Sequence, residues 1–259
     1  MSFVRPLRAL ALAVLLVAPG SIRAQDTNAA DRPGTAPQVA APAPYKPVMV
    51  QPPAVFADAG LEAFRKQLIA IAAKKDRAAL AKLVAPNFFW ERVDGKPAPK
   101  RAAIDNLAAA LDLGAVDGSG WEMLAALAAD PTAGPAEGKP GTLCSPADPQ
   151  FDNAAYEQLI KESGTDIFDW GYPDADGIEV REQPDAEAKV VEKLGLHFVR
   201  VYYDPQETDV SEDWLRVVTP SGKVGFVAAD TLNAIGNDQL CYAKGGNAWR
   251  IAGYVGGGE

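Results

Sequence analysis

The residues best suited to covalent chemistry are two cysteines and one histidine. Cys144 and Cys241 are the only cysteines of the 259-residue chain, and His197 is its only histidine. A cysteine becomes a nucleophile when a nearby base removes its proton, so Cys144 with His197 would form the catalytic pair of a thiol peptidase. The competing interpretation is a disulfide between Cys144 and Cys241, which is the default in an exported protein. A structural zinc site is not expected, because it takes four ligands, mostly Cys and His.

Acidic residues offer a second kind of chemistry. Asp174 and Asp176 precede Gly177, with Asp169 and Glu179 nearby, and such hard oxygen ligands suit calcium. The segment lacks the remaining spacing of a calcium loop and its terminal glutamate, so we interpret it as an acidic turn and expect neither a metal nor another cofactor. A carboxylate pair for glycoside hydrolysis stays an alternative, because the separation of two carboxyl groups is a property of the fold.

A third set of side chains is suited to binding without reaction. Tyr202, Tyr203, Trp214 and Phe226 lie in or beside β-prone segments, and flat aromatic faces with polar rims can line a groove for a peptide or a sugar. Successive residues of a strand point to opposite faces, so about half of such residues should belong to the core. We predict that these four residues form the ligand-binding groove.

The first 24 residues have the features of a signal peptide. Arg5 and Arg8 precede an uninterrupted apolar run at residues 9–18, and Ala24 offers a small residue before a cleavage site. The apolar run is too short to cross a bilayer as a helix, and no later apolar stretch approaches the length of a membrane-spanning helix. We therefore expect a periplasmic or secreted protein without an integral membrane span. An uncleaved N-terminal anchor is the alternative.

The charge of the chain excludes some classes of partner. Cleavage after Ala24 would remove three arginines and no acid, which would take the net charge from −9 to −12. Binding to nucleic acid or to an anionic membrane surface depends on clustered Lys and Arg. We therefore do not expect nucleic acid or anionic lipid as a partner.

The segments that follow differ in composition and in apolar periodicity. Residues 25–55 are rich in Ala and Pro and are predicted to be a disordered linker, with packing along the folded domain as the alternative. Residues 56–165 have apolar side chains three and four positions apart, which predicts a mainly helical domain. Prolines and glycines between residues 130 and 149 predict a long surface loop that contains Cys144.

The C-terminal part of the chain is predicted to be β-structure. From residue 177 the apolar residues alternate in short runs separated by turns, which suggests a small barrel. Residues 239–254 read as a hairpin, and we assign it to the same domain, residues 177–255. The expected fold is therefore α+β, with a helical domain followed by a barrel and an added hairpin.

Two short motifs in this region match a known pattern. One is Val180-Arg181-Glu-Gln-Pro184, and the other is Gly225-Phe-Val227 followed by Leu232. They resemble the bacterial SH3-like family, whose pattern runs from a Val-Arg-x-x-Pro start to a Gly-Trp-Val-x-x-x-x-Leu end. Phe226 replaces the usual tryptophan, and Glu179 replaces the common asparagine before the Val-Arg pair.

The resemblance covers residues 177–232 and implies an SH3-like barrel that binds peptides or cell-wall glycopeptides, often beside a hydrolase. We therefore expect a non-catalytic, exported envelope protein with peptide or peptidoglycan as its partner. The alternatives are an enzyme, either a cell-wall thiol peptidase or an acid-pair hydrolase, and a structural envelope protein without a small ligand.

Overall fold

A computed structural model describes residues 43–202 and 213–257 of the chain. These residues form an α+β fold, as predicted, with five α-helices and several sheets whose strand pairs are mostly antiparallel. The helices are α1 (Ala59–Ala73), α2 (Arg77–Ala81), α3 (Ala103–Ala110), α4 (Ser119–Ala129) and α5 (Asn153–Ser163), and two 3-10 helices span Ile167–Asp169 and Ala229–Thr231. Within the described ranges, no helix combines the length and the apolar character that a membrane crossing requires.

Fourteen strands lie in the described part of the chain. They are β1 (Val50–Gln51), β2 (Val84–Glu91), β3 (Gly134–Pro135), β4 (Thr142–Ser145), β5 (Gln150–Phe151), β6 (Trp170–Pro173), β7 (Ile178–Arg181), β8 (Val190–Leu194), β9 (Val199–Val201), β10 (Trp214–Val218), β11 (Val224–Ala228), β12 (Leu232–Ala234), β13 (Gln239–Gly245) and β14 (Ala248–Val255). The five-stranded sheet has the order β2-β14-β13-β4-β3, the seven-stranded sheet has the order β12-β6-β9-β10-β11-β7-β8, and β1 pairs with β5.

The first four helices pack against the five-stranded sheet. Helix α1 is capped by Asp58 and α2 by Asp76, and each aspartate accepts a hydrogen bond from a backbone N–H in the first turn of its helix. The buried side chains between helices and sheet form one core, which includes Leu61, Leu68, Leu80, Leu107, Trp121, Leu124, Leu240, Tyr242, Ile251 and Tyr254. Because this core contains residues of β13 and β14, the C-terminal hairpin belongs to the helical part of the molecule.

The position of the hairpin therefore differs from the predicted one. Instead of adding to the predicted barrel, β13 pairs with β4, and β14 pairs in parallel with β2. Helix α5 was predicted to be part of the helical domain. Its buried Tyr156 and Leu159 instead join a cluster with residues of β6 and do not join the core of the first four helices. The described residues do not divide into the segments 56–165 and 177–255 that the sequence suggested.

The predicted disulfide is confirmed. Cys144 on β4 and Cys241 on β13 are partners in the strand register and are covalently bonded, with their Cα atoms 4.0 Å apart. Both residues are almost fully buried. The predicted proline-rich loop is thus partly a strand, and β4 lies in the five-stranded sheet with its bridge to β13.

The seven-stranded sheet has two faces of different character. The inner face is apolar and contributes a buried cluster of five side chains, Val180, Leu194, Val199, Val217 and Val227. In the described ranges the end strands β8 and β12 do not pair, so the prediction of a closed barrel is not confirmed by hydrogen bonding. The SH3-like character of residues 177–232 stays a prediction.

The segment before α1 packs on the rest of the protein. The Tyr45 hydroxyl donates to the carbonyl of Val218 at 3.0 Å, and Val48 and Val50 are buried. Strand β1 pairs with β5 in this segment. For residues 43–55 the structure therefore replaces the predicted linker with its alternative, packing along the folded domain. Residues 1–42, with the predicted signal peptide and the start of the linker, lie outside the described residues.

Candidate functional site

Three of the four predicted groove residues lie together on the outer face of the seven-stranded sheet. Trp214 belongs to β10 and Phe226 to β11, and both alternate with buried valines of the inner face. Tyr202 directly follows β9, and its backbone N–H donates to the Arg216 carbonyl at 2.8 Å. All three aromatic side chains are partly exposed. The fourth residue, Tyr203, lies outside the described residues.

Arginines alternate with the aromatic residues on this face. Phe226 faces Arg216 on β10 and Arg181 on β7 in the strand register. The Arg216 guanidinium lies 5.2 Å from the centre of the Tyr202 ring, within the range of a cation–π contact. A row of side chains thus runs across four neighbouring segments in the order Tyr202, Arg216, Phe226, Arg181, and we call it the aromatic–arginine row.

One end of the row is fixed by hydrogen bonds. Arg181 Nη2 donates to the Glu179 carboxylate at 2.7 Å, and Nη1 donates to the carbonyl of Ala188 at 2.7 Å. Glu179 also forms an ion pair with Lys193, with the Lys193 Nζ atom 3.3 Å from the carboxylate. These contacts fix the position of Arg181 at the end of the row. Its charge is already balanced, so we do not expect it to attract an anion.

Helix α5 and the N-terminal segment cover the other half of the outer face. The rings of Tyr156 on α5 and Phe198 before β9 lie 4.3 Å apart, and Trp170 on β6 meets Tyr45 edge to face at 5.0 Å. Burial is the main cause that raises the pKa of Tyr156 to about 12. Aromatic packing thus covers β6 and the start of β9, and the cover ends before the aromatic–arginine row.

A cleft lies where the covered half ends, and Arg200 stands in its wall. Arg200 is on β9, opposite Trp170 on β6 and two residues before Tyr202. The cleft has a volume of about 250 Å³, and its lining includes Tyr45, Lys46, Leu159, Glu162, Trp170 and Arg200. A second cavity of about 380 Å³ shares Lys46, Leu159 and Glu162 with the first, so the two lie side by side along α5.

Sequence reasoning did not find this cleft. The alternation of Val199, Arg200 and Val201 indicates that Arg200 points away from the apolar inner face. The other residues that line the cleft, however, include Tyr45 and residues of α5, which are distant in sequence and carry no motif.

The residues predicted for covalent chemistry are committed to structural contacts. The disulfide leaves no thiol at Cys144, which removes the nucleophile of the thiol peptidase alternative. His197 Nε2 accepts from the backbone N–H of Gly195, and its Nδ1 lies 3.1 Å from the Phe198 carbonyl. This histidine orders the backbone of the turn before β9.

Two of the four acidic residues of the segment weighed for calcium, Asp169 and Glu179, make local contacts, whereas Asp174 and Asp176 are exposed. Asp169 accepts from the backbone N–H of Asp166 in a capping box of the 3-10 helix, and Glu179 pairs with Arg181. Among the residues that the structure describes, no group of three or more His, Cys, Asp or Glu side chains is arranged to hold a metal ion. In the described ranges, hydrogen bonds lower the pKa values of Asp58, Asp94 and Asp117, whereas a general acid for glycoside hydrolysis needs a raised pKa.

Comparison of the chain with protein-family models, with curated proteins and with solved structures finds no match.

Proposed function

We propose that the chain is an exported, non-catalytic envelope protein that binds peptide or cell-wall glycopeptide on the outer face of an SH3-like module, residues 177–232. The observation that carries the proposal is the aromatic–arginine row, in which Tyr202 and Phe226 flank Arg216 and Trp214 lies on the same face. Flat aromatic surfaces bind the apolar faces of sugars and peptides.

The placement of this row supports binding better than a role in the core. The inner face of the same sheet already supplies a buried cluster of apolar side chains, such as Val217 and Val227. Trp214 and Phe226 keep part of their surface accessible on the opposite face. Large aromatic side chains that stay partly exposed beside polar groups are typical of recognition surfaces.

Two features support the extracytoplasmic location. The signal-peptide pattern of residues 1–24 predicts export, and the buried Cys144–Cys241 bridge suits a compartment in which thiols oxidise. Peptidoglycan is a ligand of that compartment, and it carries both sugar faces and peptide carboxylates.

Co-sedimentation with purified peptidoglycan tests the proposal. We expect the wild-type protein to be retained, and we expect Phe226→Ala and Trp214→Ala each to weaken retention about tenfold, as for a central aromatic contact of an interface. Phe168→Ala is the matched control, because Phe168 lies on the 3-10 helix before β6 and is 78% exposed.

Thermal unfolding must show that the variants are folded. Equal retention of wild type and both row variants would contradict binding at the outer face. No retention of the wild-type protein would contradict the proposed ligand class and favour the structural alternative.

A further inference from the structure

Arg200 is a buried cation whose side chain has no hydrogen-bond or ion-pair partner among the residues that the structure describes. Its relative exposure is 8%, and its Nε atom is fully buried with no hydrogen-bond partner. No hydrogen bond or ion pair joins its side chain to a described residue, and its guanidinium lies 5.5 Å from the centre of the Tyr202 ring in a cation–π contact. A ring face attracts the positive charge but accepts none of the five in-plane N–H donors in the usual geometry.

A buried guanidinium without a hydrogen-bond acceptor is unfavourable unless a bound ligand supplies the acceptor. Burial of a charged group is costly when the charge is not paired and hydrogen-bonded, so buried arginines are normally found with an acceptor. Glu162 lines the same cleft, but its carboxylate accepts a hydrogen bond from Gln158 at 2.7 Å and does not pair with Arg200. Lys46 adds a second cation to the lining.

The cleft supplies the remaining features of a small-ligand site. The rings of Trp170 and Tyr45, which are in contact, and the side chain of Leu159 on α5 supply apolar lining. Its volume of about 250 Å³, extended by the adjoining cavity of about 380 Å³, is in the range of pockets that enclose a small molecule. A planar guanidinium in the lining of such a cleft matches the two oxygens of a carboxylate.

We infer that the Arg200 cleft binds the terminal carboxylate of a short peptide, with the peptide chain extending along α5 over the adjoining cavity. The peptide class rests on the proposed function, whereas the carboxylate follows from Arg200 itself. The cleft adjoins the aromatic–arginine row, because Arg200 and Tyr202 are neighbours on one face of β9 and are in contact. One ligand with a free carboxylate can thus occupy both.

Calorimetric titration of the purified protein with two probes tests this inference without any variant. The probes are N-acetyl-trialanine with a free carboxylate and the same peptide as its C-terminal amide. We expect the amide to bind about tenfold more weakly or not at all, since it presents no negative charge to the guanidinium. Acetate and inorganic phosphate serve as further probes. Equal affinity for acid and amide, binding of inorganic anion only, or no binding of any probe would overturn the inference.

Substitution of the arginine separates a ligand role from a structural one. Arg200→Met keeps the length and apolar stem of the side chain, and we expect it to abolish the preference for the acid while the midpoint of thermal unfolding stays unchanged or rises. Arg77→Met is the matched control, because Arg77 lies on α2 with its side chain 49% exposed. A lowered midpoint for Arg200→Met with an unchanged preference for the acid would assign Arg200 to stability alone.

This outcome is independent of the peptidoglycan experiment. The variants Phe226→Ala and Trp214→Ala test the row with the intact polymer, whereas Arg200→Met tests the cleft with a small peptide. If Phe226→Ala and Trp214→Ala weakened retention on peptidoglycan but the wild-type protein did not prefer the acid, the cleft would be refuted and the proposed function would stand. If the wild-type protein preferred the acid but was not retained on peptidoglycan, the proposed function would be refuted and the cleft would stand.

Discussion

Two buried arginines of this protein have opposite surroundings. Arg65 on α1 is 5% exposed, and its terminal nitrogens donate to three oxygens, the carbonyls of Pro131 and Thr132 and the hydroxyl of Ser145. Arg200 has a similar exposure, and no such acceptor contacts it in residues 43–202 and 213–257. The first arginine connects α1 to the segment that follows α4 and to β4, so its charge serves the fold. The second is left for a ligand.

This contrast predicts opposite effects of one substitution on stability. Arg65→Met should lower the free energy of unfolding by about 2–3 kcal/mol, because it leaves buried carbonyl groups without a donor. Arg200→Met should not lower it. Urea unfolding of the two variants beside wild type measures both effects. A loss for Arg200→Met as large as that for Arg65→Met would contradict the distinction.

At the residue scale, the sequence predicted which residues bond and which share a face, but it did not predict which side chains would be buried in a cleft. The cysteine pair followed from composition and the predicted compartment, and the aromatic groove residues Tyr202, Trp214 and Phe226 do share one face. Strand alternation is a local property, so it can be read from neighbouring residues. The burial of Arg200 depends on side chains more than 30 positions away, such as Tyr45 and Leu159, and no local pattern records it.

At the scale of elements, the start of α1 is coupled to the C-terminal hairpin. Asp58 accepts from the backbone N–H of Leu61 at 2.8 Å as the N-cap of α1. The same carboxylate accepts from Trp249 at 3.2 Å and from Lys244 at 3.3 Å, which lie on β14 and β13. One side chain therefore both caps a helix and fixes it to the sheet on which it packs.

These contacts predict a pH-dependent contribution to stability. The Leu61 N–H is the main cause that holds the pKa of Asp58 below its usual value, desolvation opposes it, and Lys244 and Trp249 lower it further. A pKa that is lower in the folded state means that the contribution is present above the unfolded value of about 3.9 and is lost as the pH falls through the folded value. Asp58→Asn should therefore lower the midpoint of thermal unfolding at pH 7 and have a smaller effect near pH 3.

Asp152→Asn is the matched control for this prediction. Asp152 caps α5 through the backbone N–H of Ala155, and no lysine or arginine pairs with it in the described ranges. Its substitution should change the midpoint less than that of Asp58 at pH 7. A difference between wild type and Asp58→Asn that stays constant from pH 7 to pH 3 would contradict a role for the charge.

Most elements were predictable, but their partners were not. The apolar spacing of residues 61–71 gives α1, the alternation around residues 214–227 gives β10 and β11, and the turn at residues 244–247 gives the hairpin. The pairing of β13 with β4 joins residues almost 100 positions apart, and only the predicted disulfide pointed to it. The hairpin follows the predicted barrel in sequence, which is why proximity along the chain suggested the wrong neighbour.

At the scale of the whole molecule, the seven-stranded sheet is an insertion between two strands of the other sheet. The chain leaves the five-stranded sheet at β4, forms α5 and strands β6 to β12, and returns to the same sheet at β13. The Cys144–Cys241 bridge joins β4 to β13 where the insertion begins and ends. This connectivity explains why the sequence suggested two consecutive domains whereas the helical part is assembled from both sides of the insertion.

The insertion makes the disulfide the element whose loss should affect the largest part of the chain. The bridge closes a loop with a sequence separation of 97, and in the chain-entropy model a loop of about 100 residues corresponds to up to about 4.7 kcal/mol of stabilisation. We expect Cys144→Ala with Cys241→Ala to lower the free energy of urea unfolding by about 3–5 kcal/mol, because the bridge is lost and the two buried side chains also lose packing. A reducing agent should destabilise the wild-type protein and leave the double variant unchanged, which separates the bridge from general effects of the reductant. If the double variant unfolded at the same urea concentration as the oxidised wild type, the strand pairing of β4 with β13 would hold the two ends of the insertion without the covalent bond.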